Sequence, residues 1–175
     1  VEAAVRARYS QAARQAEASL CCPIAYDPKS LELLPPEILE KDYGCGDPSR
    51  HVQPGDVVLD LGSGGGKICY LAAQIVGPTG HVIGIDVNDD MLALARKYQS
   101  EMAGKIGAAN VTFRKGRIQD LALDLEEVDR RLQNHPLQSS ADWLRHQEDI
   151  QRLPATAPMI ADWNASCGLS LSPTT

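Results

Sequence analysis

The chain has 175 residues, 43% hydrophobic and 23% charged, with 17 Lys and Arg against 23 Asp and Glu for a net charge of −6. That length suits one domain with a sizeable core, and the composition excludes a disordered or fibrous chain. The acidic balance argues against a nucleic-acid partner, and no apolar run approaches the roughly 20 residues of a membrane span, so no membrane partner is expected either.

Residues 1–18, rich in Ala, Arg, Gln and Glu without Gly or Pro, predict a helix. The charges spread along it are unlike a secretory signal, and the opening Val in place of Met suggests a processed chain or a fragment. Ser19, Cys21, Cys22, Pro23, Asp27 and Pro28 read as loop, and Pro35-Pro36 opens a short helix through Lys41. Tyr43-Gly44-Cys45-Gly46 and Pro54-Gly55 are turns. Val57–Leu61 is a short apolar run of the kind a strand buried on both faces requires. Gly62-Ser63-Gly64-Gly65-Gly66 follows at once, then a helix over Ile68–Val76 that stops at Gly77-Pro78. His81–Asp86 is a second strand. Asn88 caps a helix carrying Met91, Leu92, Ala95, Tyr98 and Met102 on one face, and Val111–Phe113 is a third strand. This alternation predicts an α/β fold with a parallel sheet and right-handed crossovers. Asp124–Gln133 and Ser139–Leu153 then read as a charged helical hairpin inserted where a doubly wound sheet would continue, the second helix opened by the box Ser139-x-x-Asp142. Residues 154–175, with Pro and Ser and no period, read as a divergent tail.

The strongest chemical signal is the glycine loop between a strand and a helix. Glycines there permit positive φ and close approach of a ligand to the backbone. Asp86 ends the next strand, where a carboxylate can accept both hydroxyl hydrogen bonds of an adenosine ribose. A triphosphate loop is disfavoured, because Leu61 stands where its first glycine belongs and Ile68 follows Lys67 where Ser or Thr is needed. A dinucleotide fingerprint needs glycine at position 67, which is Lys. A tight turn without a ligand is the plain alternative, and four glycines with a strand-end acid speak against it. What remains is acidic-x-Gly-x-Gly-x-Gly over Asp60, Gly62, Gly64 and Gly66.

That pattern resembles motif I of class I methyltransferases dependent on S-adenosyl-L-methionine. With Tyr43-Gly44-Cys45-Gly46 ahead of it, Cys69-Tyr70 after it, Gly84-Ile85-Asp86 beyond, and Arg8-Tyr9 followed by Cys21-Cys22 at the start, the chain over about residues 1–153 is similar to arsenite methyltransferases. The resemblance implies a Rossmann-like fold and a cofactor held by Gly62, Ser63, Gly64 and Gly66, with Asp60 orienting its amino group. It implies that Asp86 binds the ribose and Val87 flanks the adenine, with Ile118 and Gln119 closing the adenine pocket. Gly116-Arg117 departs from the pattern, which has an acid after the glycine there.

Five cysteines, at 21, 22, 45, 69 and 167, are an odd count that fits free thiols in a reducing cytoplasm. Trivalent arsenic is a soft centre that prefers thiolates. The resemblance implies that such thiolates hold arsenite so that its lone pair meets the cofactor's methyl group, with a cellular thiol as reductant. Cys45 matches the family's cysteine and is the first candidate ligand; Cys22 or Cys21 supplies a second. Cys167, in Asn164-Ala165-Ser166-Cys167, is a catalytic candidate although no apolar strand precedes it. Cys69, one turn into a helix, reads as a small buried hydrophobe.

The resulting division is a cysteine-containing cap at 1–55, a cofactor-binding core at 56–122, the hairpin at 123–153 and the tail at 154–175. The family's sheet has more strands than the three readable here, so the fold is expected to be incomplete, an apparently truncated N-terminal part. Function is read as methyl transfer with trivalent arsenic as acceptor. A cofactor-binding remnant without turnover, or an enzyme for another small acceptor, is the alternative.

Overall fold

The computed structural model describes residues 2–17, 26–44, 46–121 and 123–151. Three parallel strands, β1 (Val57–Leu61), β2 (His81–Asp86) and β3 (Val111–Lys115), lie side by side in that order. Their register sets Asp60 opposite Gly84 and Gly84 opposite Phe113. The connection from β1 to β2 is α4 (Lys67–Val76), and from β2 to β3 the pair α5 (Asp89–Lys97) and α6 (Gln99–Ile106). Ahead of the sheet come α1 (Glu2–Arg14), α2 (Pro28–Glu32) and α3 (Pro36–Glu40). This is the parallel α/β sheet expected from the alternation of strand and helix patterns, in the Rossmann-like arrangement that the resemblance implies.

Local chemistry fixes each element. Helix α4 starts after Gly66 and ends at Gly77, both at positive φ, and buries seven residues from Lys67 to Val76. Helix α5 is capped by Asn88, whose side chain accepts from the backbone N–H groups of Asp90 and Met91. Asp89 and Asp90 in its first turn and Arg96 and Lys97 in its last complement the helix dipole. The core gathers Leu34, Ile38, Tyr70, Val82, Leu92, Met102 and Phe113, with the Tyr70 ring edge-on to Phe113 at 5.6 Å. Helix α1 packs on α5 through Ala12, Ala13 and Met91, and Arg14 pairs with both oxygens of Asp90.

Three stretches differ from expectation. Strand β1, expected to be buried on both faces, is an edge strand of the three: Val57 and Leu61 are exposed and the residues between them only half-buried, whereas the central β2 has the buried pattern. Asp27 and Pro28 do not continue a loop; Asp27 accepts from the Ser30 N–H and Pro28 takes the first helical position, so together they start α2. The single helix expected after Asn88 is two, divided at Tyr98, whose N–H reaches back only three residues to the Ala95 carbonyl.

The chain divides into two units, Val1–Lys115 and Gly116–Thr175. In the second, the described residues form a bridge between Arg117 and Asp120 and two helices, α7 (Leu125–Asn134) and α8 (Ser140–Gln151). Asp124 caps α7 by accepting from Glu127 N–H, and the Ser139–Asp142 box opens α8 as its sequence predicts. No residue of α7 is buried. The tail at 154–175 lies outside the described residues. Among the described residues no helix is long and apolar enough to cross a membrane.

Candidate functional site

The glycine loop folds back over the end of β2. Gly62 and Ser63 both donate their N–H groups to the Ile85 carbonyl, at 2.8 and 3.0 Å, and Gly66 N–H closes the turn on the Ser63 carbonyl at 2.9 Å. Gly62, Gly64 and Gly66 all have positive φ, of 84°, 51° and 86°. Two of them have distinct reasons to lack a side chain. A Cβ on Gly66 would sit 2.7 Å from Phe113 Cζ, so close packing of α4 on the sheet requires glycine. A Cβ on Gly64 would meet nothing within 4 Å, so that position is an open backbone face. Ser63 between them is 8% exposed, and its Oγ has no hydrogen-bond partner.

Two carboxylates stand at the carboxyl ends of adjacent strands. Asp86 Oδ2 accepts from Gly64 N–H and Oδ1 from Asn88 N–H, each at 2.8 Å. Each oxygen keeps a second lone pair for a ligand hydroxyl. Asp60, at the end of β1, accepts from the Cys69 thiol at 3.2 Å. Burial pushes the Asp60 carboxyl pKa up and the charge of Asp86 adds to that, while the thiol bond opposes it. Burial likewise pushes the fully buried Cys69 thiol well above its usual range.

The structure thus brings Asp60, Gly62, Ser63, Gly64, Gly66, Asp86 and Val87 to one end of the sheet in the first unit. Ile118 and Gln119 belong to the second unit, in the turn bridged by Arg117 and Asp120, and both are exposed. Cys21, Cys22, Cys45 and Cys167 lie outside the described residues. Among the described residues no cluster of His, Cys, Asp and Glu could hold a metal ion.

Sequence reasoning missed one connection. Lys67, the residue that spoils the dinucleotide fingerprint, is 6% exposed, pairs with Asp42 and lies 3.7 Å over the Tyr26 ring. The Tyr26 hydroxyl donates to the Gly46 carbonyl at 2.9 Å, and Gly44 N–H donates to Asp42 at 3.2 Å. Lys67 therefore ties the segment around Gly44 and Gly46 to the first turn of α4. Nothing in the local sequence joins residues so far apart.

A family model described as a methyltransferase domain matches residues 53–157. The chain belongs to this family. The methyltransferase domain is 43% identical over 108 residues to the arsenite methyltransferase of Aquipseudomonas alcaligenes, which covers 59% of this chain and 31% of that protein. It is 33% identical over 114 residues to the chloroplastic 2-phytyl-1,4-beta-naphthoquinone methyltransferase of Arabidopsis thaliana, covering 64% of this chain and 43% of the relative. Among solved structures, an arsenic(III) S-adenosylmethionine methyltransferase from Chlamydomonas reinhardtii is similar with a TM-score of 0.50 and 35% identity, over 62% of this chain and 35% of that one. The chain spans about a third of the length of the arsenite relative it matches. The α/β architecture described above is that of the class I methyltransferase fold.

Proposed function

We propose that this methyltransferase domain binds S-adenosyl-L-methionine and serves methyl transfer to trivalent arsenic. The observation that carries the cofactor part is the open left-handed loop at Gly62 and Gly64, tied to Asp86 at the carboxyl ends of β1 and β2. Ligands of open α/β sheets bind in that position. The residues fit the group: Gly64 leaves room against the backbone, Ser63 Oγ is buried without a partner, and the chain supplies carboxylates rather than a phosphate cradle.

In this reading Gly62, Ser63, Gly64 and Gly66 hold the methionine portion against the backbone, and the Asp60 carboxylate receives its ammonium group. Asp86 accepts from the two ribose hydroxyls while it keeps Gly64 in place. Val87 flanks the adenine, with Ile118 and Gln119 as its further contacts. When bound, the cofactor supplies a methyl group activated by a sulfonium centre. The chain's task is then position rather than proton transfer: an acceptor held about 3–3.5 Å from that carbon and in line. For arsenite, the proposed ligands are the thiolates of Cys45 and of Cys22 or Cys21, with Cys167 as the candidate for the third, leaving the arsenic lone pair directed at the methyl group. A cellular thiol would return the arsenic product to the trivalent state.

Similarity to arsenite methyltransferases supports that acceptor, and the weaker similarity to a naphthoquinone methyltransferase names its competitor. The test is calorimetric titration of the 175-residue chain with S-adenosylhomocysteine, followed by single-turnover assays with arsenite and with a naphthoquinone. Binding is the expected result, with little turnover by this chain alone and arsenite rather than the quinone as the acceptor of whatever transfer occurs. Absence of binding would overturn the cofactor reading. Transfer to the quinone alone would overturn the acceptor, and binding without transfer to either would leave a cofactor-binding remnant.

A further inference from the structure

We infer that Cys69 is a positioning residue whose thiol aims the Asp60 carboxylate at the ammonium group of the cofactor. The inference rests on the cofactor reading above and gives a role to a thiol that reading does not use. Cys69 sits one turn into α4 and has no exposed surface. Its Sγ is boxed in: a Cβ on Gly84 would lie 2.8 Å from it and 2.7 Å from Phe113 Cδ1, so glycine at 84 makes the space in which the sulfur sits. A side chain held so closely keeps one rotamer. In that rotamer the S–H points at Asp60 Oδ2, 3.2 Å away, within the range of a sulfur hydrogen bond. Asp60 is opposite Gly84 in the sheet register, so thiol, glycine and carboxylate form one cluster spanning β1, β2 and α4. With Oδ2 fixed by the thiol, the carboxylate plane is set and Oδ1 is presented in one direction.

A buried alanine would fill the same small space without this consequence. The thiol's hydrogen bond also favours the ionised carboxylate, against burial and against the neighbouring charge of Asp86. Two described cations near this end of the sheet pair with other carboxylates, Lys67 with Asp42 and Lys115 with Asp89. Loss of the thiol therefore raises the pH below which Asp60 is neutral and cannot pair with an ammonium group.

The experiment measures S-adenosylhomocysteine affinity of the 175-residue chain from pH 5 to pH 8, expressed as a pH range of about that width around the carboxylate and imidazole titrations. Cys69→Ala should weaken binding about tenfold, the scale of one hydrogen bond to a charged group. It should also move the acid limb of the profile to higher pH. Cys69→Ser, which keeps a donor, should restore both, and Asp60→Asn should remove the acid limb in either background. Circular dichroism identifies any variant that does not fold; the serine variant, closest in size, then decides. An unchanged acid limb in Cys69→Ala, or equal losses in the alanine and serine variants, would overturn the positioning role while leaving the cofactor reading intact. Failure of the unaltered chain to bind at any pH would instead remove the reading beneath it.

Discussion

Helices α4 and α7 have the same length, ten residues each, and hold their places by different means. Seven residues of α4 are buried, among them Cys69, Tyr70 and Ala72 with no exposed surface. Helix α7 buries none, and its visible organisation is charged: Glu127 holds both Arg130 and Arg131. On α8, Trp143 is 49% and Leu144 61% exposed. Apolar burial contributes kilocalories per side chain, whereas exposed ion pairs contribute tenths. The first unit can therefore hold the glycine loop in one left-handed geometry, and the hairpin of the second has far less with which to hold anything.

The largest effect expected from this contrast is in the core. Tyr70→Ala removes a ring packed on Phe113 and a hydroxyl donating to the Ala95 carbonyl at 2.6 Å. It should cost about 3–5 kcal/mol in denaturant unfolding followed by circular dichroism. A cost below about 1 kcal/mol would show that the two units are not so different. Next comes the loop: Asp86→Ala should weaken cofactor binding by about 1.5–3 kcal/mol in calorimetry, the scale of hydrogen bonds to a charged group. Unchanged affinity would remove Asp86 from the site.

A charged cluster inside the first unit sharpens the comparison further. Hydrogen bonds from Lys41, then Lys97 and Tyr98, hold the Glu37 carboxyl down at about 2, below the ordinary value of 4.5. A lowered carboxylate pKa stabilises the folded state at neutral pH, and that stability is lost as pH falls from about 5 toward 2. Glu37→Gln should cost about 1 kcal/mol at pH 7 and little at pH 2, flattening the acid limb of a thermal-stability profile. The smallest effect belongs to the hairpin, where Glu127→Ala should leave the unfolding midpoint of the whole chain almost unchanged. A core-sized loss there would mean that α7 carries much more of the fold than its exposure implies.

How far the sequence could be read follows the same division of physical causes. Val57–Leu61 and His81–Asp86 are legible because an apolar run between turn residues has few other uses, and the glycines between strand and helix mark the loop. Asp27 and Pro28 mislead because the same residues break one helix and start the next. The division at Tyr98 is invisible because Met102 N–H still bonds the Tyr98 carbonyl, so the apolar spacing runs through it. At the site, Asp60 and Asp86 are legible from their strand ends. The bond from Cys69 to Asp60 depends on the space made by Gly84 on another strand, which no local pattern records.

Lys67 carries one more consequence, for the way the molecule opens. A cation buried against the positive end of a helix is tolerable only with its counter-charge in place. If the segment around Asp42 lifts away, Lys67 loses both its ion pair and the face of Tyr26 and must draw the first turn of α4 toward water. The two stretches, 25 residues apart, then share a single opening event. Their amide protons should exchange with solvent as one cooperative group, with a common slope in denaturant, although nothing in the chain's order makes them neighbours.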